Sequence, residues 1–209
     1  MNELHELEQA LRAGAPTDVP LPDISDAAHD AGLLDVAYAT SDSPVGRLLL
    51  ATSERGLVRI AYLDDDHTED TALDALAADI SPRLLEAPGR LDEPRRELEQ
   101  YFAGRRDRFE LPLDWQLVHG FARRVLEATA RIPFGSVSTY KEVASEAGSP
   151  RGHRAAGNAL GSNPIPIVVP CHRVLHSGGG LGGYTGGLER KRVLLTVEGV
   201  LDDAPAAGS

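Results

Sequence analysis

Residues 154–174 read RAAGNALGSNPIPIVVPCHRV, and this stretch decides how the C-terminal part of the chain folds. Its first part continues a helical pattern that we place over 151–160, and three prolines then stiffen an apolar approach to Cys171. A lone cysteine is more often a small buried apolar residue than a nucleophile. The neighbours His172 and Arg173 shift that balance, because flanking cations can favour a thiolate. We therefore treat Cys171 as a candidate nucleophile.

The residues just before this stretch predict two further helices. Apolar positions favour a helix over 119–131, which the sequence Pro-Phe-Gly at 133–135 ends. Ser138 is then expected to cap a helix over 139–147. With a three-residue turn and the helix over 151–160, this gives the outline of a helix-turn-helix. Spacing alone does not distinguish that motif from any other helical hairpin.

The chain before residue 115 predicts a small α/β domain. Turn-separated runs predict an antiparallel meander, then two helices and one more strand, over 34–40, 47–52, 57–63, 70–80, 92–103 and 109–113. A short helix over 3–13 and a proline-containing linker over 14–31 precede this domain. The predicted divisions are an N-terminal extension and linker (1–31), the α/β domain (32–115), a helical domain (116–201) and a flexible tail (202–209).

The charge of the chain is unevenly distributed. The formal net charge is −11, which by itself argues against binding to nucleic acid. Residues 131–192 nevertheless hold eight basic and three acidic residues, a balance of +5 that leaves −16 for the rest of the chain. Because a local field governs binding, a basic C-terminal segment on an acidic body is compatible with DNA as a partner.

Several classes of protein are excluded by composition. No apolar run approaches the length of a membrane helix, and the N-terminus lacks the features of a secretory signal, so we expect no membrane association. A single cysteine excludes an internal disulfide and a multi-cysteine zinc site. We therefore expect a reducing cytoplasmic location, no metal and no cofactor.

A base that could activate Cys171 is more difficult to identify from spacing. Side chains of successive residues tend to point apart, so His172 would reach the thiol through a water molecule. A carboxylate from elsewhere would then have to orient the imidazole. Glu198, at the end of a predicted helix, is a candidate, although a glutamate there is ordinarily just solvent-exposed.

Four strings together resemble the C-terminal domain of O6-alkylguanine-DNA alkyltransferases, the methylated-DNA–protein-cysteine methyltransferases. They are PFGSVSTYKEVA (133–144), RAAGNALGSNPIPIVVPCHRV (154–174), GGYTGGLERK (182–191) and LLTVEG (194–199). A looser match, SPVGRLLLATSERGL (43–57), resembles the family's N-terminal α/β domain. The resemblance implies a small α/β domain with an antiparallel ribonuclease-H-like sheet, then a helical domain with a helix-turn-helix and an active-site loop.

The resemblance also implies a reaction and a set of residues. The reaction is irreversible, stoichiometric transfer of an alkyl group from O6-alkylguanine in double-stranded DNA to the protein itself, after the base is flipped out. O4-alkylthymine is a second candidate substrate, and the protein is expected to be a monomer. The implied catalytic set is Cys171 as acceptor, His172 as base acting through water, Glu198 as orienting carboxylate, Asn163 as a bridge between the helix-turn-helix and the loop, Tyr140 as donor to the leaving guanine, and Lys191.

Two further sets follow from the same resemblance. The residues implied in DNA binding and base flipping are Arg154, which fills the stack, with Tyr140, Arg151, Gly157 and Arg173. Those implied in the substrate pocket are Val174, Tyr184, Thr185 and Pro166. Other histidines, including His176, are given no role.

Two other functions stay open on sequence grounds. An alkyltransferase-like lesion sensor would bind damaged DNA without transfer, but such proteins usually carry tryptophan at the cysteine position. A helix-turn-helix transcriptional regulator would leave the loop around Cys171 unexplained.

Overall fold

The computed structural model describes residues 27–28 and 31–202. The helix predicted over 3–13, nearly all of the linker over 14–31 and the tail beyond 202 lie outside the described residues, so those stay predictions. Among the described helices, none is long and apolar enough to cross a membrane.

The N-terminal half is a four-stranded sheet with two helices. Its elements are β1 (Val36–Ser41), β2 (Leu48–Ser53), β3 (Gly56–Tyr62), α1 (Glu69–Asp79), β4 (Leu84–Glu86) and α2 (Asp92–Phe102). The predicted meander is confirmed, since β1 pairs with β2 and β2 with β3 in antiparallel register. β4, a strand that was not predicted, pairs with β1 in parallel, so the sheet has the order β3-β2-β1-β4 and is mixed rather than antiparallel at this edge. A strand of three residues is too short to show alternation in the sequence.

The strand predicted over 109–113 is also wrong. This segment runs beside the start of β3 and makes only an isolated bridge between Leu57 and Leu113. The Leu57 N–H donates to the Pro112 carbonyl over 2.9 Å, and the Asp114 N–H donates to the Leu57 carbonyl over 2.9 Å. Pro112 has no N–H to offer, which prevents a continuous ladder along this segment.

The C-terminal half is helical. Its elements are α3 (Gly120–Ala130), β5 (Ser138–Thr139), α4 (Tyr140–Glu146), α5 (His153–Gly161), a 3₁₀ turn (Cys171–Arg173), β6 (Val174–Leu175) and α6 (Leu188–Val197). The predicted helices are confirmed within two residues, and α4 and α5 form the expected helix-turn-helix outline. β5 and β6 form a short parallel pair that ties α4 to the segment after Cys171.

The cap of α4 differs from the prediction by one residue. Thr139, not Ser138, is the N-cap, because its hydroxyl accepts from the Glu142 N–H over 3.2 Å. The Glu142 carboxylate accepts from the Thr139 N–H in return over 2.8 Å, which completes a capping box. Ser138 donates to the same carboxylate over 3.1 Å.

One hydrophobic core runs through both halves. It includes Leu57, Tyr62, Leu98 and Tyr101 from the first half and Val125, Leu126, Val143, Leu160, Val169 and Leu194 from the second. A smaller cluster, which includes Leu49 and Leu76, packs α1 on the other face of the sheet. The domain boundary predicted near residue 115 stays a prediction, but the shared core brings side chains of the first half to the loop that carries Cys171.

Gly56 is expected to be essential for the close approach of β3 and the 109–113 segment. It has φ +122°, and a Cβ there would lie 2.2 Å from the Pro112 carbonyl oxygen. Gly104, which follows α2, has φ +66° with nothing within 4 Å of a Cβ. We expect Gly56→Ala to lower the free energy of unfolding by about 3 kcal/mol or more and Gly104→Ala by about 1 kcal/mol, measured by urea unfolding. Equal losses would show that the close approach is not a constraint.

Candidate active site

Cys171 is held at the end of a strained, buried loop. It opens the 3₁₀ turn and is 5% exposed. Upstream, Ile167 has φ +74°, the only positive φ of a non-glycine residue among the described residues. A β-branched residue rarely adopts this conformation, so the surrounding packing must impose it. The loop is therefore fixed by its environment rather than by local preference.

Asn163 is the residue that joins this loop to the end of α5. Its side-chain amide donates to the Val169 carbonyl over 2.8 Å and to Cys171 Sγ over 3.1 Å. Its carbonyl oxygen accepts from the Ile165 N–H over 3.0 Å. A buried amide that satisfies both its donor and its acceptor in this way fixes the loop and orients the thiol.

Glu198, at the C-terminal end of α6, is the centre of a buried hydrogen-bond network. Its Oε1 accepts from His172 Nε2 over 2.8 Å, from the Tyr101 hydroxyl over 2.7 Å and from Arg173 Nη2 over 2.8 Å. Arg173 Nε donates to Oε2 over 2.8 Å, so the guanidinium grips both oxygens. Burial alone would raise the pKa of Glu198, but the hydrogen bonds from His172 and Arg173 outweigh it and lower the pKa to about 2. The carboxylate is therefore ionised.

His172 is a buried, neutral imidazole. Burial lowers its pKa even though the neighbouring Glu198 favours the charged form. An ionised carboxylate can only accept, so Nε2 carries the proton that it donates to Glu198. Nδ1 is buried and has no hydrogen-bond partner within the described part of the chain. Its lone pair is thus available to accept a proton.

The expectation that flanking cations favour a thiolate is wrong. Burial raises the pKa of Cys171 to about 11, against the smaller lowering effects of Asn163 and Lys191. Arg173 is engaged with Glu198, and its remaining nitrogen donates to the Ile132 carbonyl. The resting nucleophile is therefore a thiol, which needs a base before it can react.

Arg173 also corrects the predicted DNA-binding set. Its side chain is 7% exposed and paired with Glu198, so it is not presented at the surface. A basic residue beside the cysteine suggested a phosphate contact, but sequence shows charge and not burial. The other predicted members of this set, Arg154, Arg151, Gly157 and Tyr140, lie on or just before α4 and α5.

The Lys191 side chain hydrogen-bonds backbone carbonyls of the glycine-rich loop and of the segment before it. Its ammonium donates to the Val174 carbonyl over 2.7 Å and also to the carbonyls of Leu181 and Gly183. Burial lowers the pKa of Lys191 to about 8. Lys191 thus fixes the loop that covers the site, and its charge reaches Cys171 without the side chain lining the cavity itself.

A cavity of about 720 Å³ opens onto the thiol. Its lining includes Cys171, Tyr140, Arg154, Gly157, Tyr184 and Thr185, all of them predicted, with Leu160, Lys141, His153 and His176 among others. Two predicted pocket residues lie elsewhere. Val174 is fully buried, and Pro166 lines a second groove together with Asn163. Both positions are close to the cysteine motif in the sequence, but neither residue lines the cavity.

The walls of the cavity contain aromatic residues that the sequence did not assign. The rings of His176 and Tyr140 pack with centroids 5.2 Å apart. The hydroxyls of Tyr184 and Tyr62 lie 2.6 Å apart, so the end of β3 supports the wall beside Cys171. Burial raises the pKa of Tyr140, which stays a protonated donor at neutral pH. His176 lies two residues after the end of the cysteine motif, a signal that could have found it, whereas Tyr62 and Tyr101 looked like ordinary core positions.

The basic surface is smaller than the residue count implies. Arg173 and Lys191 are buried, and Arg190 pairs with Asp64 over 3.1 Å. Lys141 and Arg154 are exposed and line the cavity, and Arg151 is exposed in the turn before α5. Within the described ranges, no group of three or more His, Cys, Asp or Glu side chains could hold a metal ion.

Removing the buried carboxylate is expected to destabilise the fold in a pH-dependent way. Glu198→Gln leaves the Arg173 guanidinium unpaired, which should lower the free energy of unfolding at neutral pH by about 3–5 kcal/mol. The folded-state pKa of Glu198 is about 2 against an ordinary 4.5, so the wild-type advantage is complete above that ordinary value and is lost as the pH falls through the interval. Urea unfolding between neutral pH and about pH 3 measures both effects.

The control for this prediction is Glu127→Gln. Glu127 forms an exposed pair with Arg123 over 2.8 Å, so its loss should cost no more than about 0.5 kcal/mol. A difference between wild type and Glu198→Gln that stays constant down to pH 3 would contradict the assignment of an ionised Glu198.

The chain is similar to known proteins over most of its length. Residues 36–115 match the family described as "6-O-methylguanine DNA methyltransferase, ribonuclease-like domain", and residues 120–200 match the corresponding "DNA binding domain". A methylated-DNA–protein-cysteine methyltransferase of Methanosarcina barkeri is 38% identical over 161 residues, which are 77% of this chain and 96% of that protein.

Two crystal structures give the same result. That of Mycobacterium tuberculosis O6-methylguanine methyltransferase has a TM-score of 0.67 at 38% identity and covers 82% of this chain and 96% of that one. That of Mycobacterium tuberculosis OGT in complex with DNA has a TM-score of 0.64 at 38% identity and covers 78% of this chain and 92% of that one. With both halves matched and a buried cysteine at the floor of the cavity, the chain belongs to the methylated-DNA–protein-cysteine methyltransferase family.

Proposed function

We propose that this protein repairs DNA by transferring a methyl or other alkyl group from O6 of guanine to Sγ of Cys171, once per molecule. The observation that carries the proposal is that Cys171 lines a cavity beside a helix-turn-helix, while the next residue, His172, is buried and hydrogen-bonded to Glu198. A nucleophile, a neutral base and an ionised carboxylate are the groups that displacement of an alkyl group requires.

The first step is removal of the thiol proton. The pKa of Cys171 is about 11, so ionising its thiol at neutral pH costs about 5 kcal/mol. Without a base, the thiolate is therefore too rare to support the reaction. His172 Nδ1 accepts the proton through one water molecule, and Glu198 stabilises the imidazolium that forms. The hydrogen bond between His172 Nε2 and Glu198 supports these roles.

The second step is transfer itself. The thiolate attacks the alkyl carbon, the C–S bond forms as the C–O6 bond breaks, and the bonding pair passes to guanine. Tyr140, protonated and facing the cavity, donates a hydrogen bond or proton to the ring and offsets the developing negative charge. The product is a thioether on Cys171, which thiols do not exchange as they do disulfides.

Double-stranded DNA that carries the lesion is the proposed partner. The alkyl group lies inside the duplex, so the nucleotide has to leave the stack before it reaches Cys171. Arg154 is exposed at the start of α5 and lines the cavity mouth, which suits it to fill the vacated stack. Arg151 and Lys141 are exposed nearby and suit phosphate contacts. O4-alkylthymine, a smaller base, is a second candidate for the same cavity.

A lesion sensor without transfer is less well supported. Such a protein needs the cavity and the DNA-binding helices. It has no use for a buried Glu198 that is paired with Arg173 and hydrogen-bonded to His172, the residue next to Cys171. We propose further that the protein acts as a monomer in the cytoplasm, where its single thiol stays reduced.

Transfer is expected to stop at one equivalent. With a large excess of oligonucleotide containing O6-methylguanine, product should reach a plateau near one per protein molecule, and intact-mass analysis should show one added methyl group. Cys171→Ala should abolish transfer and keep duplex binding, because phosphate contacts come from other residues. Turnover well beyond one equivalent, or transfer by the alanine variant, would refute Cys171 as the terminal acceptor.

Arg154 is expected to matter for extrusion and not for chemistry. Arg154→Ala should slow transfer from duplex DNA by about tenfold to a hundredfold, and transfer from the free O6-alkylguanine base by much less, since unstacking a base costs a few kcal/mol. Arg96→Ala, an exposed change on α2 far from the cavity, should leave both rates unchanged. Equal losses on both substrates for Arg154→Ala would place this residue in the chemistry or the folding instead.

A further inference from the structure

Tyr101 is a buried tyrosine whose hydroxyl is not needed for packing. The residue is 0% exposed, and its ring lies among Phe102, Phe109 and Phe134, with centroids 5.2, 5.3 and 6.0 Å away. A phenylalanine ring would pack equally well among these three aromatic side chains. Among the described residues, the hydroxyl donates to Glu198 Oε1 over 2.7 Å, across 97 residues of sequence.

The oxygen that Tyr101 contacts is the one that also faces His172. Arg173 already fixes the plane of the Glu198 carboxylate, because its guanidinium reaches both oxygens. Tyr101 is therefore not required to anchor the carboxylate in its plane. As an added donor on Oε1, its hydroxyl draws negative charge away from the atom that attracts the His172 proton. The result is an imidazole that is held in place but binds an additional proton less strongly.

We propose that Tyr101 is a positioning residue for alkyl transfer, whose hydroxyl acts through Glu198 to keep His172 neutral and able to accept the Cys171 proton. This inference rests on the proposed function, and it assigns to a residue of the N-terminal half an indirect part in the reaction, through Glu198. Loss of the hydroxyl leaves more negative charge on Oε1, so protonation of His172 becomes easier. The acid limb of the rate profile then moves to higher pH.

Other groups near His172 bear on its titration and stay constant in the test. The charged and titratable side chains around it are Glu198, Arg173, Lys191, Cys171 and Tyr184, whose ring meets the imidazole edge-on at 6.4 Å. Arg173 and Lys191 oppose protonation of His172, while Glu198 favours it. A change confined to Tyr101 alters only the balance at Glu198.

The test is Tyr101→Phe in the full-length chain, with Tyr38→Phe as the matched control. Tyr38 is a half-buried tyrosine of β1 that packs in the other hydrophobic cluster, away from the cavity. The readouts are the NMR titration of the His172 ring, the rate of alkyl transfer against pH, and the urea midpoint. We expect the His172 titration in Tyr101→Phe to move to higher pH, with transfer about threefold to tenfold slower at pH 6 and little changed at pH 9. Tyr38→Phe should leave both the titration and the rate profile unchanged.

Stability effects are separated by a further variant. Phe109→Leu weakens the packing around the Tyr101 ring but keeps the Tyr101 hydroxyl. It should therefore lower the urea midpoint without moving the pH profile of the transfer rate. If Tyr101→Phe does not fold, 3-fluorotyrosine at position 101 keeps the shape and donates more strongly, so the His172 titration should move to lower pH. An unmoved His172 titration in Tyr101→Phe, or in the fluorotyrosine protein, overturns the inference. Failure of the wild-type protein to accept an alkyl group would instead refute the proposed function and leave the titration result readable.

Discussion

The Glu198 carboxylate sets the arrangement of everything around it. A charge with no exposure to water is costly unless donors surround it, and here the donors come from separate parts of the chain. Tyr101 reaches it from α2, and His172 and Arg173 reach it from the 3₁₀ turn. His172 and Arg173 keep the carboxylate ionised and both lie on the turn, so their bonds to Glu198 fix the position of the turn and with it that of Cys171.

Burial keeps the nucleophile unreactive by raising the pKa of Cys171. The network around Glu198 leaves this effect largely unopposed, because Arg173 is paired with the carboxylate and His172 is neutral. A protonated thiol is slow to oxidise and slow to react with other electrophiles, because both reactions proceed through the thiolate. For a protein with one cysteine and no means of removing a thioether, each accidental reaction would inactivate a molecule. A thiol that stays protonated until His172 takes up its proton reduces that loss.

How far the sequence predicted this structure depends on the kind of signal. Long periodic segments gave helices within two residues, whereas β4, with three residues, was too short to produce a pattern. Ser138 and Thr139 are adjacent and both carry a hydroxyl. Thr139 is the cap because Glu142 lies three residues after it, the spacing that a capping box requires. Arg173 was assigned to DNA because a sequence shows charge without burial. The role of Tyr101 could not be predicted from the sequence. Its spacing in α2 is that of an ordinary core residue, and its hydrogen-bond partner is 97 positions away.

Burial of the basic residues also bears on how damaged DNA is selected. Because Arg173 and Lys191 are internal and Arg190 pairs with Asp64, the exposed cations near the cavity are few. Each phosphate contact adds affinity that does not depend on sequence or damage, and the acidic body adds repulsion. A protein with few such contacts binds undamaged DNA weakly and spends little time on it. Under the proposed function, discrimination then falls mainly on the steps that follow contact, namely extrusion of the nucleotide past Arg154 and its fit against Tyr140 and Tyr184. In that scheme proton removal by the network around Glu198 follows those steps, so selection precedes the irreversible reaction.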